Sequence, residues 1–482
     1  MGIFGRARIF AMAGAVALGA IAVQVAPSTA SGAAFAVHTA IAPSLLQQPV
    51  AVVTATDGRV FVAQLNGVIK VFHGLTDTHP KVFADLSNEV YSAQGHGLLG
   101  LTLDPKFATN HYVYVLFSRD SKTRGGPVVT SSKDTCATHA TTGCVRYARL
   151  ARITANGDKM VAGSEKPLID DWCNQFVHHI GAVHFGSDGM LYVSGGDGAN
   201  EQVAGSSGAD YGQFGNACGD PPSPAGTNLT APTAQGGSLR AQDILPGYDS
   251  DPVTLDGTVI RVNPSTGAGA AGNPYAASSD ANERRIIAYG LRNPFRFAIQ
   301  PGSSKLYVSD PGLDDYEEID WIARPVKTVA NDFGWPCWEG TDQQVYFKAL
   351  NLDMCNALYS AATDTKPVFE YHDSSASVSP GDHCPEISPE GGGGAITGIG
   401  FPGTGTTYPT AFKGDVFFLD YGRQCIWASA VPPTGSATQP LLHAQFVSTL
   451  PATGITDVEP GPGGDLLLVD VANSTIYQLT YS

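Results

Sequence analysis

The chain has few charged residues, and positive charge is the scarcer kind. Asp, Glu, Lys and Arg make up 15% of its 482 residues, and 28 basic residues stand against 44 acidic ones, for a formal net charge of −16. A surface this acidic repels phosphate backbones. The composition therefore predicts no nucleic-acid partner and suits solubility outside the cell.

Long apolar runs are absent beyond the N-terminus. Arg6 and Arg8 precede an apolar stretch from Ile9 to Val25, and small residues follow from Ser28 to Ala34. This order is typical of an export signal, so we expect residues 1–34 to be a cleaved signal peptide. A membrane anchor is the alternative, because the run approaches the length of a membrane span. No later segment could cross a bilayer, so we expect a secreted protein without stable membrane insertion after cleavage.

Cys-x-x-Cys pairs are also absent, which argues against a structural zinc site. The eight cysteines are an even number, as expected for an exported, oxidised protein. Their connectivity is open, although Cys136 with Cys144 and Cys337 with Cys355 would each close a short loop.

Helical periodicity is rare, whereas 56 glycines and 32 prolines indicate many turns. A turn followed by a short apolar strand recurs six times. The copies are DGRVFVAQLNGVIKVF from Asp57, HYVYVLFS from His111, SDGMLYVSGGDG from Ser187, SSKLYVSDPG from Ser303, KGDVFFLDYGRQCIW from Lys413 and GGDLLLVDVANSTIYQL from Gly463. Such repetition predicts an all-β, six-bladed β-propeller over residues 35–482, with a β-sandwich as the alternative.

The position of the last copy predicts how the ring closes, because its final strand would pair with the first part of the mature chain. Long insertions at 119–144, 205–251 and 338–392 are expected to be loops at one end, where functional sites usually lie.

Five stretches resemble one family, the glucose/sorbosone dehydrogenases, which are six-bladed propellers. They are GHGLLGLTLDPKFATNHYVYVLFS from Gly95, HHIGAVHFGSDGMLYVSGGDGAN from His178, GTVIRVNP from Gly257, YGLRNPFRFAIQPGSSKLYVSDPGLDDYEEIDWI from Tyr289 and NDFGWPCWEG from Asn331. They occur in the family's order and sample most of the mature chain.

The resemblance implies which residues form the catalytic base, its supporting acid and the contacts to the cofactor. In well-studied members, pyrroloquinoline quinone lies on top of the propeller with calcium beside it. His178 matches the catalytic base, and Asp197 matches the acid that supports it. Arg292 and Asn293 match the pair that contacts the cofactor.

The resemblance also implies a calcium site and exposes gaps in the cofactor site. Gly312 and Leu313 match the segment whose carbonyls hold calcium. The family's lysine position falls near Gly422, and Arg423 could replace that cation if its side chain points inward. Two arginine positions fall near Gly454 and Thr456, so those cations are missing.

Several other patterns have more ordinary interpretations. If the chain is extended at His178, the neighbouring His179 points away and should tolerate substitution. His178 and His184 would lie on one face of an extended strand, but six residues separate them too far to bind one metal ion unless the chain bends. Two G-x-G-x-x-G matches, from Gly267 and from Gly398, do not open helices, so a dinucleotide site is rejected.

An acidic run comprises Asp314, Asp315, Glu317, Glu318 and Asp320. It lacks EF-hand spacing, and we expect its side chains to be solvated.

Three functions remain open. The resemblance implies oxidation of an aldose or related sugar at the anomeric carbon, with pyrroloquinoline quinone, calcium and an external electron acceptor. His178 and the Arg292–Asn293 pair favour it. A calcium-dependent, lactonase-like hydrolase and a non-catalytic carbohydrate- or protein-binding propeller, as in the Hedgehog-interacting relatives, are the alternatives, favoured by the missing cations.

Overall fold

The fold is known from a computed structural model, in which the chain divides after Ala34 and Phe35–Ser482 forms one compact unit. The described residues are 34–93, 95–121, 128–129, 146–174, 177–199, 209–213, 229–244, 253–323, 329–373, 378, 384, 394–432, 441–451 and 454–482. The expected signal peptide thus lies outside them, apart from Ala34. No helix in these ranges is both long and apolar enough to span a membrane.

Six small antiparallel sheets form the blades of a ring. Blade 1 comprises β2 (Pro49–Thr54), β3 (Val60–Gln64), β4 (Val68–Phe72) and β5 (Lys81–Asp85). Blade 2 comprises β6 (Leu98–Leu103), β7 (Tyr112–Ser121), β9 (Arg146–Asn156) and β11 (Lys166–Asn174), with the short strands β8 (Val128–Val129) and β10 (Lys159–Met160). Blade 3 comprises β12 (Val183–Phe185), β13 (Leu191–Gly195), β14 (Thr258–Val262) and β15 (Ile286–Tyr289), to which β19 (Asn331–Asp332) adds in parallel.

The remaining blades repeat the same order. Blade 4 comprises β16 (Arg296–Ile299), β17 (Leu306–Pro311), β18 (Tyr316–Ile322) and β22 (Phe369–His372). Blade 5 comprises β23 (Ile396–Gly400), β24 (Val416–Asp420), β25 (Cys425–Ser429) and β26 (Gln445–Thr449). Blade 6 comprises β27 (Ile455–Pro460), β28 (Leu466–Asp470), β29 (Thr475–Tyr481) and β1 (Phe35–Ile41), and a separate hairpin joins β20 (Trp338–Glu339) to β21 (Asp342–Gln343).

Blade 6 closes the ring with strands from both ends of the chain. β1 pairs antiparallel with β29, and Phe35 lies opposite Tyr481. The Phe35 ring also makes edge contacts with Tyr408, Phe412 and Phe417 of the neighbouring blade. The predicted closure is therefore confirmed.

The six sequence repeats all map to the middle of a blade. β3, β13, β17, β24 and β28 are buried along their whole length. Strands that are covered on both faces read as continuous apolar runs, which is why these segments stood out in the sequence. The six-bladed propeller is confirmed, and the β-sandwich alternative is wrong.

The helices of the described residues are short. They are α1 (Phe107–Asn110), α2 (Val345–Ala349) and α3 (Asp353–Ala361), with 3₁₀ turns at Pro43–Leu45, Gly237–Gln242, Glu283–Arg285 and Thr410–Phe412. α2 begins after Gln344, whose side-chain oxygen accepts from the N–H groups of Tyr346 and Phe347. The insertion at 338–392, expected to be a loop, thus contains two helices.

Disulfides stabilise the insertion and the fifth blade. Cys337 and Cys355 are bonded with their Cα atoms 5.1 Å apart, as predicted. A second bond joins Cys384 to Cys425. None of the five described cysteines is free, since Cys173 is also disulfide-bonded. The predicted Cys136–Cys144 pair lies outside the described residues.

Candidate active site

His178 and Asp197 meet at the point where blades 2 and 3 join. His178 Nδ1 lies 2.8 Å from Asp197 Oδ1. His178 adopts a left-handed conformation with φ of 51°, which turns the chain between β11 and β12. The facing segment needs glycine, because a Cβ on Gly196 would collide with the His178 carbonyl and one on Gly195 would collide with Trp172.

The Asp197 carboxylate is fully buried and accepts three hydrogen bonds. Oδ1 accepts from His178 and, at 3.1 Å, from the Ala199 N–H, while Oδ2 accepts from Trp335 Nε1 at 2.8 Å. Burial alone would raise the pKa of Asp197, but His178, the nearby Arg292 and the Trp335 N–H together hold it below its usual value. Asp197 is therefore an anion that fixes the proton of neutral His178 on Nδ1 and leaves Nε2 as the basic atom.

The His178 side chain is 14% exposed and carries little charge at neutral pH. Burial and the positive charge of Arg292 lower its pKa, although Asp197 partly opposes them. A neutral imidazole at the edge of a cavity has the protonation state that a general base needs.

Arg292 and Asn293 are held in place by Asp310. The Asp310 carboxylate accepts from the Arg292 N–H at 2.9 Å and from the Asn293 N–H. Burial raises the pKa of Asp310 to about 7. The Arg292 carbonyl accepts from the Asp197 N–H at 2.8 Å, so the predicted cofactor pair and the predicted base are joined directly.

The guanidinium of Arg292 keeps unused hydrogen-bonding capacity. Nη1 donates to the Pro311 carbonyl at 2.9 Å, whereas Nε is buried without a partner among the described residues. The guanidinium carbon lies 5.5 Å from the centre of a Trp335 ring. A hydrogen-bond acceptor, such as a carboxylate or a quinone oxygen, would satisfy the Arg292 Nε–H group.

His178 lies between two cavities. The larger has about 600 Å³ of space, including space open to solvent, and is lined by Gly95, His96, Leu99, Val177, His178, His179, Ile180, Asn293 and Phe295. The smaller is narrow and is lined by His178, Asp197, Ala199, Asp210, Ser238, Arg292, Leu313, Trp335 and Phe347. Only the larger has room for a ring-shaped ligand beside His178.

The expectation that His179 points away from the site is wrong. The chain is not extended at His178, so the two side chains do not alternate as they would in a strand. His179 is 4% exposed, lines the larger cavity and is hydrogen-bonded through Nδ1 to Ser118 Oγ at 2.6 Å. It is therefore not a neutral control for substitutions at His178.

His184 takes no part in this site. Its Nε2 lies 3.4 Å from Glu459, and burial together with nearby Arg296 lowers its pKa to about 4. Its partner is thus an acid on the inner strand of blade 6, in agreement with the rejection of a His178–His184 metal pair.

The expectation that the side chains of the acidic run are solvated is wrong for three of its members. Glu317, Glu318 and Asp320 are 2%, 8% and 0% exposed. Burial, with repulsion between neighbouring carboxylates, raises the pKa of all three well above the usual values. These side chains are buried because β18 is covered on both faces. The absence of EF-hand spacing carries no information about this burial.

Gly312 and Leu313 lie in the turn that connects β17 to β18. The backbone N–H groups of Leu313 and the next three residues all point to Glu339 Oε1, at 2.6 to 3.1 Å. A Cβ on Gly312 would collide with the Tyr316 carbonyl and Glu339. Within the described ranges, no three His, Cys, Asp or Glu side chains are grouped to hold a metal, so a cation here would also need carbonyl oxygens.

Arg423 is not brought to His178. Its guanidinium is buried within its own region, where Nη2 donates to the carbonyls of His372 and Asp373 at 3.3 and 3.1 Å. Nε lies 3.7 Å from the Asp420 carboxylate. Arg423 lines neither of these two cavities, so its contact with a cofactor stays a prediction.

Sequence reasoning missed two residues that shape the site. Trp335 lies within the quoted NDFGWPCWEG stretch, which was a signal for a role, but its bond to Asp197 spans 138 positions. Asp310 ends the SSKLYVSD repeat and shows no local pattern that distinguishes it from other strand-end acids.

The electrostatics predict a measurable pKa for His178. In the wild-type protein it should titrate below 6.5, the ordinary value. Asp197→Asn should lower this pKa further, because the carboxylate raises it. Histidine-selective NMR titration, with the signal assigned through His178→Gln, measures both values. The signal of exposed His38 should be the same in both proteins, and a His178 pKa that rises in Asp197→Asn would contradict the assigned pair.

Comparison with known proteins adds sequence relatives. The family model described as glucose/sorbosone dehydrogenase matches residues 46–223 and 246–381. HIPL1 protein from Arabidopsis thaliana is 26% identical over 384 residues, which cover 76% of this chain and 48% of that protein. The chain spans about half the length of the first curated relatives it matches.

Solved structures match the fold over almost the whole chain. The PQQ-bound form of aldose sugar dehydrogenase from Streptomyces coelicolor has a TM-score of 0.57 at 18% identity, covering 94% of this chain and 100% of that one. A calcium structure of a Carbohydrate-Active Enzymes Family AA12 protein from Trichoderma reesei has a TM-score of 0.52 at 14% identity, covering 95% and 97%. Because the family model matches well over half of the residues, the chain belongs to the glucose/sorbosone dehydrogenase family.

Proposed function

We propose that this protein is a quinoprotein-type oxidoreductase that oxidises an aldose or related sugar at the anomeric carbon, using pyrroloquinoline quinone and calcium. The observation that carries the proposal is the His178–Asp197 pair, hydrogen-bonded at 2.8 Å, with His178 on the wall of the larger cavity. Membership of a dehydrogenase family and the likeness to a PQQ-bound dehydrogenase support it.

The pair performs the proton transfer of this reaction. Oxidation at the anomeric carbon requires removal of the proton from its hydroxyl group while the carbon loses hydrogen with two electrons. His178 Nε2 takes that proton, and anionic Asp197 stabilises the imidazolium that forms. Trp335 keeps Asp197 in orientation through its N–H, so the base needs little reorganisation during the reaction.

The residues around the cavity fit part of a quinone cofactor. Pyrroloquinoline quinone, when bound, accepts the electrons of the substrate. Arg292, on the wall of the smaller cavity, provides a buried Nε donor without a partner among the described residues, and Asn293 contributes to the wall of the larger cavity. We assign these two residues to cofactor binding, and we leave Arg423 out of that set.

Calcium fits the buried acids of β18. Both carboxylate oxygens of Asp320 are buried without a hydrogen-bond partner among the described residues. Uncompensated carboxylates are costly in an interior, and calcium is an oxygen-preferring cation that compensates them. We propose that Glu318 and Asp320 hold a calcium ion between their carboxylates. Asp320 pairs with Val308, about 13 Å along the hairpin from Gly312, so the carbonyls of Gly312 and Leu313 form a second candidate position for the ion.

The cellular setting follows from the N-terminus and the disulfides. We propose that residues 1–34 are a signal peptide and that residues 35–482 act outside the cell. Disulfide bonds at Cys337–Cys355 and Cys384–Cys425 suit an oxidising compartment. The electrons would then pass to an external acceptor.

One observation favours a second candidate, a propeller that binds a carbohydrate or protein without catalysis. Arg423 is engaged by backbone carbonyls, and the family's other two cation positions hold Gly454 and Thr456. A tricarboxylate cofactor would have fewer charged partners than in well-studied members. Loading with the quinone decides between the two candidates.

Reconstitution tests the proposed reaction. The mature protein, loaded with pyrroloquinoline quinone and calcium, should reduce a dye in the presence of at least one aldose of a panel. His178→Gln should lower kcat by about 10²–10⁴-fold while quinone absorbance shows that the cofactor stays bound. His38→Gln, on exposed β1, is the matched control and should keep full activity. Saturating quinone binding without oxidation of any aldose would refute the dehydrogenase and leave the binding propeller.

Calcium should stabilise the folded protein. If the ion binds only the native state, the free energy of unfolding rises by about 2.7 kcal/mol at a calcium concentration about 100 times the Kd. Thermal unfolding with calcium and with chelator measures this shift. Asp320→Asn should show a smaller calcium-dependent rise in melting temperature, because it removes a ligand of the site on β18, whereas Asp85→Asn, at an exposed position, should respond as the wild type does. A wild-type melting temperature indifferent to both calcium and chelator would remove calcium from the account.

A further inference from the structure

A buried ion pair lies directly behind the candidate active site. Arg240 Nε and Asp256 Oδ2 are 2.8 Å apart, and both side chains are 0% exposed. Arg240 belongs to the 3₁₀ turn Gly237–Gln242, and Asp256 lies just before β14. Arg240 lies within the insertion at 205–251 and Asp256 follows that insertion, and sequence analysis singled out neither.

The acid of this pair is tied to the segment that carries the histidines. Asp256 Oδ1 accepts from Trp172 Nε1 and from Asn174 Nδ2, each at 3.1 Å. Asn174 Nδ2 also lies 3.4 Å from the His179 carbonyl. One carboxylate thus holds Asn174 at the end of β11 and, through its side chain, the His179 carbonyl.

The arginine of the pair is tied to the segment that carries the acid. Arg240 Nη2 donates to the Gly198 carbonyl at 2.7 Å and approaches the Asp197 carbonyl at 3.5 Å. Gly198 has a φ of 63°, and a Cβ there would lie 2.6 Å from the Asn174 amide. The two sides of the His178–Asp197 hydrogen bond are therefore anchored to opposite ends of the same ion pair.

We propose that Arg240, held by Asp256, is a positioning residue that sets the distance between His178 and Asp197. A buried ion pair is weak evidence for stability, because desolvation offsets most of its attraction. Its bonds go instead to the backbone on each side of the catalytic pair, where an error of about 1 Å can cost about 10²-fold in rate. The expected effect of Arg240 on the rate of sugar oxidation rests on the proposed function. Its expected effect on the His178–Asp197 hydrogen bond does not.

The geometry requires arginine rather than any cation. The planar guanidinium reaches the Asp256 carboxylate through Nε and the Gly198 carbonyl through Nη2. A lysine ammonium is a single point charge and cannot hold both groups with the same fixed geometry. Arg240→Lys thus keeps charge compensation for Asp256 and removes the rigid connection to Gly198.

The test measures the His178–Asp197 hydrogen bond itself. In histidine-labelled protein, NMR follows hydrogen exchange of the His178 Nδ1 proton, with the signal identified by its loss in His178→Gln. Arg240→Lys should retain the fold, judged by circular dichroism and thermal unfolding, but this proton should exchange about tenfold faster or more. In the quinone-loaded enzyme, kcat should fall by about 10- to 100-fold with little change in KM.

The matched control uses another ion pair of the same blade. Arg261 Nε lies 2.8 Å from Asp188 Oδ2, and Arg261 is on β14, five residues after Asp256. Arg261→Lys should leave the His178 proton and kcat unchanged.

If Arg240→Lys fails to fold, the double variant Arg240→Gln/Asp256→Asn removes both buried charges together and is the better-tolerated change. It should show the same faster exchange. Wild-type exchange of the His178 proton in either folded variant would overturn the positioning role. If wild-type protein oxidises no aldose, the proposed function fails, whereas faster exchange in the variants would still support the positioning role.

Discussion

An ionised carboxylate held in a dry interior is the constraint on which this site depends. Asp197 is 0% exposed, and such a group stays charged only if donors surround it. His178, Ala199 and Trp335 provide those donors. Because the carboxylate is satisfied in this way, it can orient an imidazole and later stabilise its protonated form. Trp335 must then lie close to blade 3, although it belongs to a segment 138 positions further along the chain.

The propeller makes this arrangement possible because different parts of each blade form the rigid core and carry the functional side chains. Fully buried strands in the middle of the blades supply the rigid core, and the functional side chains lie on the connections between strands. Asp197 follows β13, and Asp310, which positions Arg292, lies near the end of β17. The interior also contains an unusual amount of acid, since Glu317, Glu318 and Asp320 are buried close together. The cost of these charges is a physical reason to expect a bound cation in this region.

Sequence alone was sufficient for the fold, and it named both members of the hydrogen-bonded His178–Asp197 pair, whose catalytic role stays a prediction. Buried blade strands appear as apolar repeats, and the segments around His178 and Asp197 resemble a family closely. The features that the sequence did not predict depend on contacts between residues that are distant in the chain or on local backbone conformation. The left-handed turn at His178 brings His179 to the same cavity, and the two covered faces of β18 bury acids that a charge run would leave in solvent. The bonds of Trp335 and of the Arg240–Asp256 pair connect distant segments without any local signature.

Chemical analysis of the product from an aldose deuterated at the anomeric carbon tests the central claim most directly. With protein loaded with quinone and calcium, the account predicts a lactone that has lost its deuterium, formed in proportion to the dye reduced. It also predicts that His178→Gln, with the cofactor still bound, forms almost none. A product that retains deuterium would place the oxidation at another carbon, and unchanged product formation in His178→Gln would show that the His178–Asp197 pair is not the base.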